Sequence, residues 1–166
     1  IKVPLFVRGQ HMRHRTWSYN ELSRRYTSEN MEFWLPKGFR KQAADNIQAS
    51  TDEVFDPILP GPLPDYHNGA HASEYFQYLC DLSLQVYELM VEAGIAREQA
   101  RAIIPQAAYT HYIGTVDLNN LIKFFKLRIH EEAQKETVWA AEAMLELIRP
   151  HFPVTCSVID EELKHE

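Results

Sequence analysis

The chain has 166 residues, of which 45% are hydrophobic and 24% are charged, and it carries a net charge of −6. This length suits a single domain over 1–166, and the composition excludes an intrinsically disordered chain. Because no apolar run approaches the ~18 residues that cross a bilayer, and the first residues lack the pattern of a signal peptide, we expect a soluble, cytoplasmic protein without a membrane partner.

The first half of the sequence predicts short elements. Pro4 suits the first turn of a helix, where its missing N–H is not needed, and four prolines with two glycines make a stiff loop further on. The predicted elements are the end of a strand at 1–3, a helix over 4–14, irregular backbone over 16–25, a strand over 31–36, a polar helix over 37–48 and the proline-rich loop over 56–69.

The second half is mainly helical. Apolar residues recur every three or four positions from 70 to 93, which predicts a long amphipathic helix with Gly94 just past its end. Asp117 is a good cap for the helix that follows it. The other predicted elements are a helix over 96–104, a strand over 109–116, and helices over 118–134 and 134–149, the last ending before Pro150. The fold is predicted to be α+β, mostly helical with a small antiparallel sheet.

The sequence contains two cysteines, Cys80 and Cys156. Two cysteines do not make a disulfide framework. We interpret both as buried or incidental thiols, since free cysteine is commonly a core residue.

The charge is distributed unevenly. Between Arg8 and Arg25 five arginines stand against a single carboxylate, Glu21, so this segment has a charge of +4 and the remainder of the chain −10. An acidic body argues against a nucleic-acid partner, because binding to a phosphate backbone needs an extended basic face. A compact group of arginines suits one or two phosphates, although an exposed charge run remains the alternative.

Neutral polar residues lie among these arginines. Ser18, Asn20 and Ser23 could read the edge of a heterocycle or a ribose. Glu21 either organises the arginines through ion pairs or accepts a hydrogen bond from a ligand. Ser23 would serve as a nucleophile only with a positioned base, for which His14 is the nearest candidate.

Three further features leave alternatives open. Arg128 stands in an apolar helix, where it either pairs with Glu131 or Glu132 or faces a ligand, and Arg101 is equally ambiguous. His67 and His71 have the four-residue spacing of zinc ligands, but Gly69 lies between them and the glutamate of a zinc-protease motif is missing, so we predict no metal. The sequence also has no glycine-rich phosphate loop.

The stretch Arg13 to Tyr26, RHRTWSYNELSRRY, closely resembles the signature of the flavin-dependent thymidylate synthases, the thymidylate synthase-complementing family. In that signature Arg-His-Arg is followed, after seven residues, by Ser, as in Arg13-His14-Arg15 and Ser23. The likeness continues in the family's order through EFWLP, Arg101, the stretch 109–121 and LRIHEEAQKE at 127–136. It therefore spans nearly the whole chain.

The resemblance implies an enzyme with the thymidylate synthase-complementing protein-like fold. Family members methylate deoxyuridylate (dUMP) to thymidylate (dTMP), with methylenetetrahydrofolate as carbon donor and with FAD, reduced by NADPH, carrying the hydride. No cysteine nucleophile is needed. The family assembles as a homotetramer whose active sites lie where subunits meet.

The resemblance also implies roles for individual residues. Arg128 is implied to be catalytic, because a cation beside the uracil ring would favour its ionised form. The implied dUMP-binding residues are Gln10, Arg13, Glu21, Leu22, Ser23, Arg24, Arg25, Arg101 and Arg128, with Glu21 to Arg25 reaching a neighbouring chain's nucleotide. The implied FAD-binding residues are Arg13, His14, Arg15, Thr16, Asn20, Glu21, Asp117, Asn119, Lys123, Leu127 and Glu132.

The chain departs from the family pattern in its flavin-binding stretch. Asp117 and Asn119 replace an Asn-x-Arg pair, Lys123 replaces Asn or His, and Glu132 replaces His. The family's N-terminal region, with strands and some flavin and folate contacts, is expected to be lacking. A non-catalytic module of the same fold that binds a nucleotide or RNA is the alternative function, and a zinc hydrolase ranks last.

Overall fold

The computed structural model describes residues 1–23, 31–47, 49–61 and 69–163. Its helices and strands alternate irregularly along the chain, and a 3-10 turn, Arg101–Ile103, follows the third helix directly. The elements are β1 (Lys2–Pro4), α1 (Leu5–His11), β2 (Ser18–Glu21), β3 (Phe39–Gln42), β4 (Ser50–Phe55), β5 (Ile58–Leu59), β6 (Ala70–His71), α2 (Ala72–Glu92), α3 (Arg97–Ala100), β7 (Tyr109–Thr115), α4 (Leu118–Arg128), α5 (Lys135–Ile148) and α6 (Pro153–Glu162). The predicted α+β class is confirmed.

The central sheet has three antiparallel strands in the order β1–β7–β2. Val3 lies opposite Thr110, and Glu21 lies opposite Tyr112. The prediction of irregular backbone over 16–25 is therefore wrong at β2. Pairing with a strand more than 90 residues away, which no local pattern indicates, holds this polar segment extended.

A second antiparallel pair, β3–β4, occupies the region for which a polar helix over 37–48 was predicted, and that prediction is wrong. The hairpin is fastened to α5 by the buried ion pair between Arg40 and Glu136. Lys41 and Glu53 pair across its exposed side. These contacts outweigh the weak helix propensity of the segment.

Several predicted boundaries also change. The strand expected over 31–36 is reduced to a single bridge between Phe33 and Ala108. The helix expected over 4–14 ends at His11, and the one expected over 118–134 ends at Arg128, where Ile129 leaves the helix and the chain turns toward α5. β5, within the predicted loop, pairs with β6, which occupies the first two positions of the helix expected from 70. No element was predicted for the segment that forms α6.

The main core lies between α4, α5 and α6, beneath the turn that follows α1. Its buried members are Trp17, Phe124, Phe125, Ala141, Leu145, Cys156 and Ile159. Cys80 is buried on α2, and both cysteines are free, as predicted. The core fixes the position of α4 relative to the segment 11–21, which carries the predicted site.

The helix cap predicted at Asp117 is confirmed, and α2 begins with a capping contact that was not predicted. The Asp117 carboxylate accepts from the backbone N–H of Asn120 over 3.0 Å and so caps α4. At α2, Glu74 accepts from the backbone N–H of His71 over 2.8 Å. Within the described ranges, none of the helices combines the length and the hydrophobicity needed to traverse a lipid bilayer.

Candidate functional site

Arg128, at the last position of α4, is half-buried and is held only by neutral acceptors. Its Nε donates to Nε2 of His14 over 2.9 Å, and its Nη2 donates to the backbone carbonyl of Gln10 over 3.2 Å. In the described part of the chain no carboxylate pairs with it. The alternative of a pair with Glu131 or Glu132 is therefore wrong, because the helix ends at Arg128 and both glutamates lie in the following turn.

His14 must be neutral to accept this hydrogen bond. Burial, and then the positive charge of Arg128, lower the pKa of His14 below its ordinary value. Burial, and then Arg13, lower the pKa of Arg128, but a guanidinium stays charged at any physiological pH. The pair consequently presents one positive charge, which no carboxylate among the described residues cancels.

Glu21 lies at the centre of a second set of hydrogen-bonded side chains. Arg8 binds its carboxylate through Nη2 and through Nε, the latter at 3.1 Å, and the Thr110 hydroxyl donates to the other oxygen over 2.8 Å. Arg8 and Thr110 lie on α1 and β7, so Glu21 ties β2 to both. The organising role left open by the sequence is thus supported, with Arg8 as the partner that the structure describes.

A cavity of about 570 Å³ opens beside Glu21. It brings together four predicted substrate residues, Glu21, Leu22, Ser23 and Arg101, although Arg101 comes from the 3-10 turn after α3. A volume of this size is typical of sites for small organic ligands.

A second cavity, of about 490 Å³, also lies against α1, but mostly against other residues of that helix than the first cavity does. Gln10, Arg13 and Arg128 line it, and Leu5 and Gln106 border both cavities. Within one chain, therefore, the predicted substrate residues are divided between two cavities.

The Arg-His-Arg triplet follows α1 directly. Arg13, Arg15 and Thr16 are exposed, and neither arginine has an ion-pair partner among the residues that the structure describes. Asn20 is exposed on β2. The triplet is attached to α4 through His14, whose ring also lies 4.9 Å from that of Phe124.

On α4 the other predicted cofactor residues share one face. Asn119, Lys123 and Leu127 are spaced by four residues and are exposed, Leu127 at 64%. Hydrogen bonds from Asn120 lower the pKa of Asp117, whose carboxylate is thus occupied as a cap. Glu132 is exposed beyond the helix, where Asn46 reaches it over 3.4 Å.

A buried histidine that the sequence did not indicate lies beneath the triplet. His11 is 2% exposed, and its Nδ1 lies 2.6 Å from the Tyr112 hydroxyl. Burial first, then the positive charges of His14, Arg128 and the N-terminus, lower the pKa of His11 to about 4. Burial raises the pKa of Tyr112. We expect both groups to be neutral at pH 7.

Some predicted residues lie outside the described ranges, namely Arg24, Arg25 and His67. In the described part of the zinc motif, His71 lies at the start of α2, with its Nδ1 3.0 Å from the carbonyl of Asp56. Across the ranges given above, no three His, Cys, Asp or Glu side chains are grouped as metal ligands.

Sequence reasoning missed several residues that support the site. Arg8 was counted only as charge, and Thr110 was assigned only to a strand. The polar side chains that connect β3 and α5 to the site were also missed: Arg40, Gln134 and Glu136. Their only sequence signal is a charged or polar side chain within otherwise helical or strand patterns, which does not indicate partners.

The family model described as thymidylate synthase complementing protein matches residues 1–154. A flavin-dependent thymidylate synthase of Thermus thermophilus is 36% identical over 163 residues, which cover 98% of this chain and 56% of that protein. One from Aquifex aeolicus is 42% identical over 153 residues, covering 89% and 44%. The chain thus spans about half the length of these relatives.

Solved structures give a similar result. The UMP/dUMP methylase PolB from Streptomyces cacaoi, bound with 5-Br UMP, superposes with a TM-score of 0.78 at 26% identity, covering 96% of this chain and 70% of that one. Its complex with 5-Br dUMP gives a TM-score of 0.71. From the family match, the identities and the shared fold, the chain belongs to the thymidylate synthase complementing protein family.

Proposed function

We propose that the protein containing this chain methylates dUMP to dTMP, with methylenetetrahydrofolate as carbon donor and FAD, reduced by NADPH, as the source of hydride. The two synthases named above are called flavin-dependent, and PolB is called a UMP/dUMP methylase. The observation that carries the proposal is the state of Arg128, a half-buried cation held by neutral acceptors at the edge of a cavity.

In this proposal Arg128 is the catalytic residue. Methylation of uracil requires the ring to become electron-rich, and negative charge develops on it as its N–H proton is lost. A cation that is already fixed in place stabilises that charge without reorganisation. Because His14 and Gln10 are neutral partners, the full charge of Arg128 is available to the ring.

The nucleotide would lie between two subunits. Gln10 and Arg13 of one subunit would bind it together with Arg128, while Glu21 to Arg25 and Arg101 of a neighbouring subunit would bind it from their own cavity, through charged and polar groups suited to phosphate and sugar. Glu21 would do so as a fixed carboxylate, since Arg8 and Thr110 already hold it.

FAD fits the donor set beside α4. Arg13, Arg15 and Lys123 are exposed cations suited to its pyrophosphate, Asn119 offers an amide, and Leu127 offers exposed apolar surface for a ring. The further residues proposed to hold it are His14, Thr16, Asn20, Glu21, Asp117 and Glu132. When bound and reduced by NADPH, the flavin would supply the hydride that reduces the transferred carbon to a methyl group.

We also propose that the protein is a homotetramer with active sites between subunits. The division of the substrate residues between two cavities supports this arrangement, since a second copy would bring the complementary half. A further support is an apolar stripe on α2, which is exposed in the single chain and consists of Leu79, Leu82, Val86 and Leu89. In an assembly this stripe would be covered.

The first test is an absorbance spectrum. The protein containing this chain is incubated with FAD, freed of excess cofactor, and then assayed for dUMP binding and for dTMP formation. We expect retained flavin near one per subunit, together with turnover that requires methylenetetrahydrofolate and NADPH. A colourless protein whose RNA binding weakens steeply with salt would instead support the non-catalytic module.

A further inference from the structure

A series of side-chain hydrogen bonds connects the Arg40–Glu136 ion pair with Arg128. Gln134 Nε2 donates to Glu136 Oε2 over 3.0 Å, and Gln10 Nε2 donates to Gln134 Oε1. Arg128 Nη1 in turn donates to Gln10 Oε1 over 3.4 Å. Two glutamines from distant parts of the sequence thus bridge a carboxylate on α5 and a guanidinium on α4.

The chemistry of the two ends determines the direction of each bond. A carboxylate can only accept, and a guanidinium can only donate. Each glutamine has one donor end and one acceptor end. Both amide groups must therefore turn the NH2 group toward Glu136 and the carbonyl toward Arg128. A reversed amide would put two donors or two acceptors face to face.

Glu136 is well suited to anchor this series. It is 7% exposed, and Arg40 Nη2 donates to its two oxygens over 2.8 and 3.0 Å. Arg40 is fixed in turn by its Nε, which donates to the Ser50 hydroxyl over 2.9 Å. Because the carboxylate lies in the first turn of α5 and has a fixed partner, it has little freedom to move away from Gln134.

We propose that Gln134 and Glu136 are positioning residues: through Gln10 they direct a carbonyl oxygen at Arg128 and so hold the guanidinium in place for the uracil ring. This inference rests on the proposed function, because it assigns these residues to the alignment of the proposed catalytic group. Neither residue lines the cavity formed by Gln10, Arg13 and Arg128. They act on that cavity through Gln10.

We expect Gln134 and Glu136 to supply only part of the positioning of Arg128. If Gln134 no longer holds Gln10, Arg128 keeps its bonds to His14 and to the backbone carbonyl of Gln10. The guanidinium would remain near its place but with more freedom to turn. Small errors in the placement of a catalytic group cost one to two orders of magnitude in rate, so we expect a loss of about tenfold.

The test compares the wild-type protein with Gln134→Met, which has a similar length but no amide. The Gln134 side chain makes no cap bond at the start of α5, so the substitution leaves the helix start intact. We expect kcat to fall about tenfold, the dissociation constant of dUMP, measured by calorimetry, to rise severalfold, and the retained flavin to stay the same. Unchanged kcat and dUMP affinity would overturn the proposal.

A double-mutant cycle separates positioning from a general structural effect. In a Gln10→Met background the amide that Gln134 orients is absent, so adding Gln134→Met should lower kcat little further. If the losses of kcat in the two single variants multiply fully in the double variant, Gln134 acts by a route other than Gln10, and the proposal is overturned. Glu136→Gln is the second variant. It keeps the shape of the carboxylate but adds a donor that conflicts with Arg40 or Gln134, and we expect the same loss of kcat.

Asp160→Asn is the matched control. It removes the negative charge from the ion pair that joins the C-cap of α5 to α6, between Arg149 Nη1 and Asp160 Oδ2 at 2.6 Å, away from the two cavities, and should leave kcat unchanged. An equal loss in this control would overturn the positioning role in favour of α5 stability. Wild-type protein that neither binds dUMP nor forms dTMP would instead refute the proposed function, and the wild-type measurement distinguishes that result from a failure of the positioning role alone.

Discussion

Arg128 donates a hydrogen bond from Nε to Nε2 of His14 over 2.9 Å. The proton of the neutral imidazole must then be on Nδ1. A carboxylate in the place of His14 would hold Arg128 equally well but would cancel its charge. The middle residue of the Arg-His-Arg triplet thus orients the cation without cancelling its charge, which in the proposed function would act on the substrate.

We predict that Arg128→Ala lowers kcat for dTMP formation at least about a hundredfold, because the proposed stabilisation of the ionised uracil is lost. Flavin should be retained, since the exposed face of α4 is unchanged. Steady-state turnover measures the loss of kcat, and the absorbance of the bound flavin measures its retention.

The matched control is Lys126→Ala, which also removes a cation from α4 but one that pairs with Glu162 over 2.6 Å. It should leave turnover close to wild type. Turnover that survives in Arg128→Ala would show that the catalytic role is misassigned.

His11 should make the free energy of unfolding depend on pH. Its pKa is about 4 in the folded chain against an ordinary value of 6.5, so between these values the unfolded state binds more protons. Stability is therefore complete above pH 6.5 and falls as the pH drops toward 4, by about 3 kcal/mol for this group.

Urea unfolding at a series of pH values measures the slope of the free energy of unfolding against pH. His11→Gln, which can still hydrogen-bond Tyr112, should flatten the slope between pH 6.5 and 4 while carboxylates continue to titrate at the acid end. An equal slope in the two proteins would rule out His11 as its source.

Replacing only one partner of the Arg40–Glu136 ion pair should destabilise the fold. Glu136 is 7% exposed, so Arg40→Met leaves a buried carboxylate without its cation and should destabilise the fold by roughly 3 kcal/mol. The double variant Arg40→Met/Glu136→Met should recover part of this loss, because no unpaired charge remains. Chemical denaturation of the four proteins of the cycle tests this, and a double variant that is less stable than Arg40→Met would contradict it.

Gly114 is predicted to be intolerant of a side chain. A Cβ there would lie 2.9 Å from Cε3 of Trp17, which is buried in the main core. Gly114→Ala should cost about 1–3 kcal/mol of stability through overpacking. Gly9→Ala on α1 is the control. Nothing lies within 4 Å of its Cβ, so helix propensity should leave the protein as stable as wild type or up to about 1 kcal/mol more stable. Thermal unfolding that ranks the two variants in the opposite order would contradict this.

Where the sequence has a strong local pattern, the predicted structure is confirmed. Apolar spacing of three and four predicts α2, a proline marks the end of α5, and β-branched and aromatic residues predict β7. The motif around Arg13 to Ser23 identifies the family, because its chemistry is encoded in consecutive residues. These features depend on neighbours within one or two turns, which are present in the sequence itself.

The tertiary structure alone decided the contacts between distant residues. β2 is extended because β7 pairs with it, and β3 pairs with β4 and is anchored by α5, although a polar helix was predicted over 37–48. The sequence identified Arg128 by its family position, but its partners His14 and Gln10 lie more than 110 residues away. A charge in a sequence shows that some partner or ligand is needed. Only packing determines which groups come within hydrogen-bond distance, and therefore whether the charge is cancelled or left for a substrate.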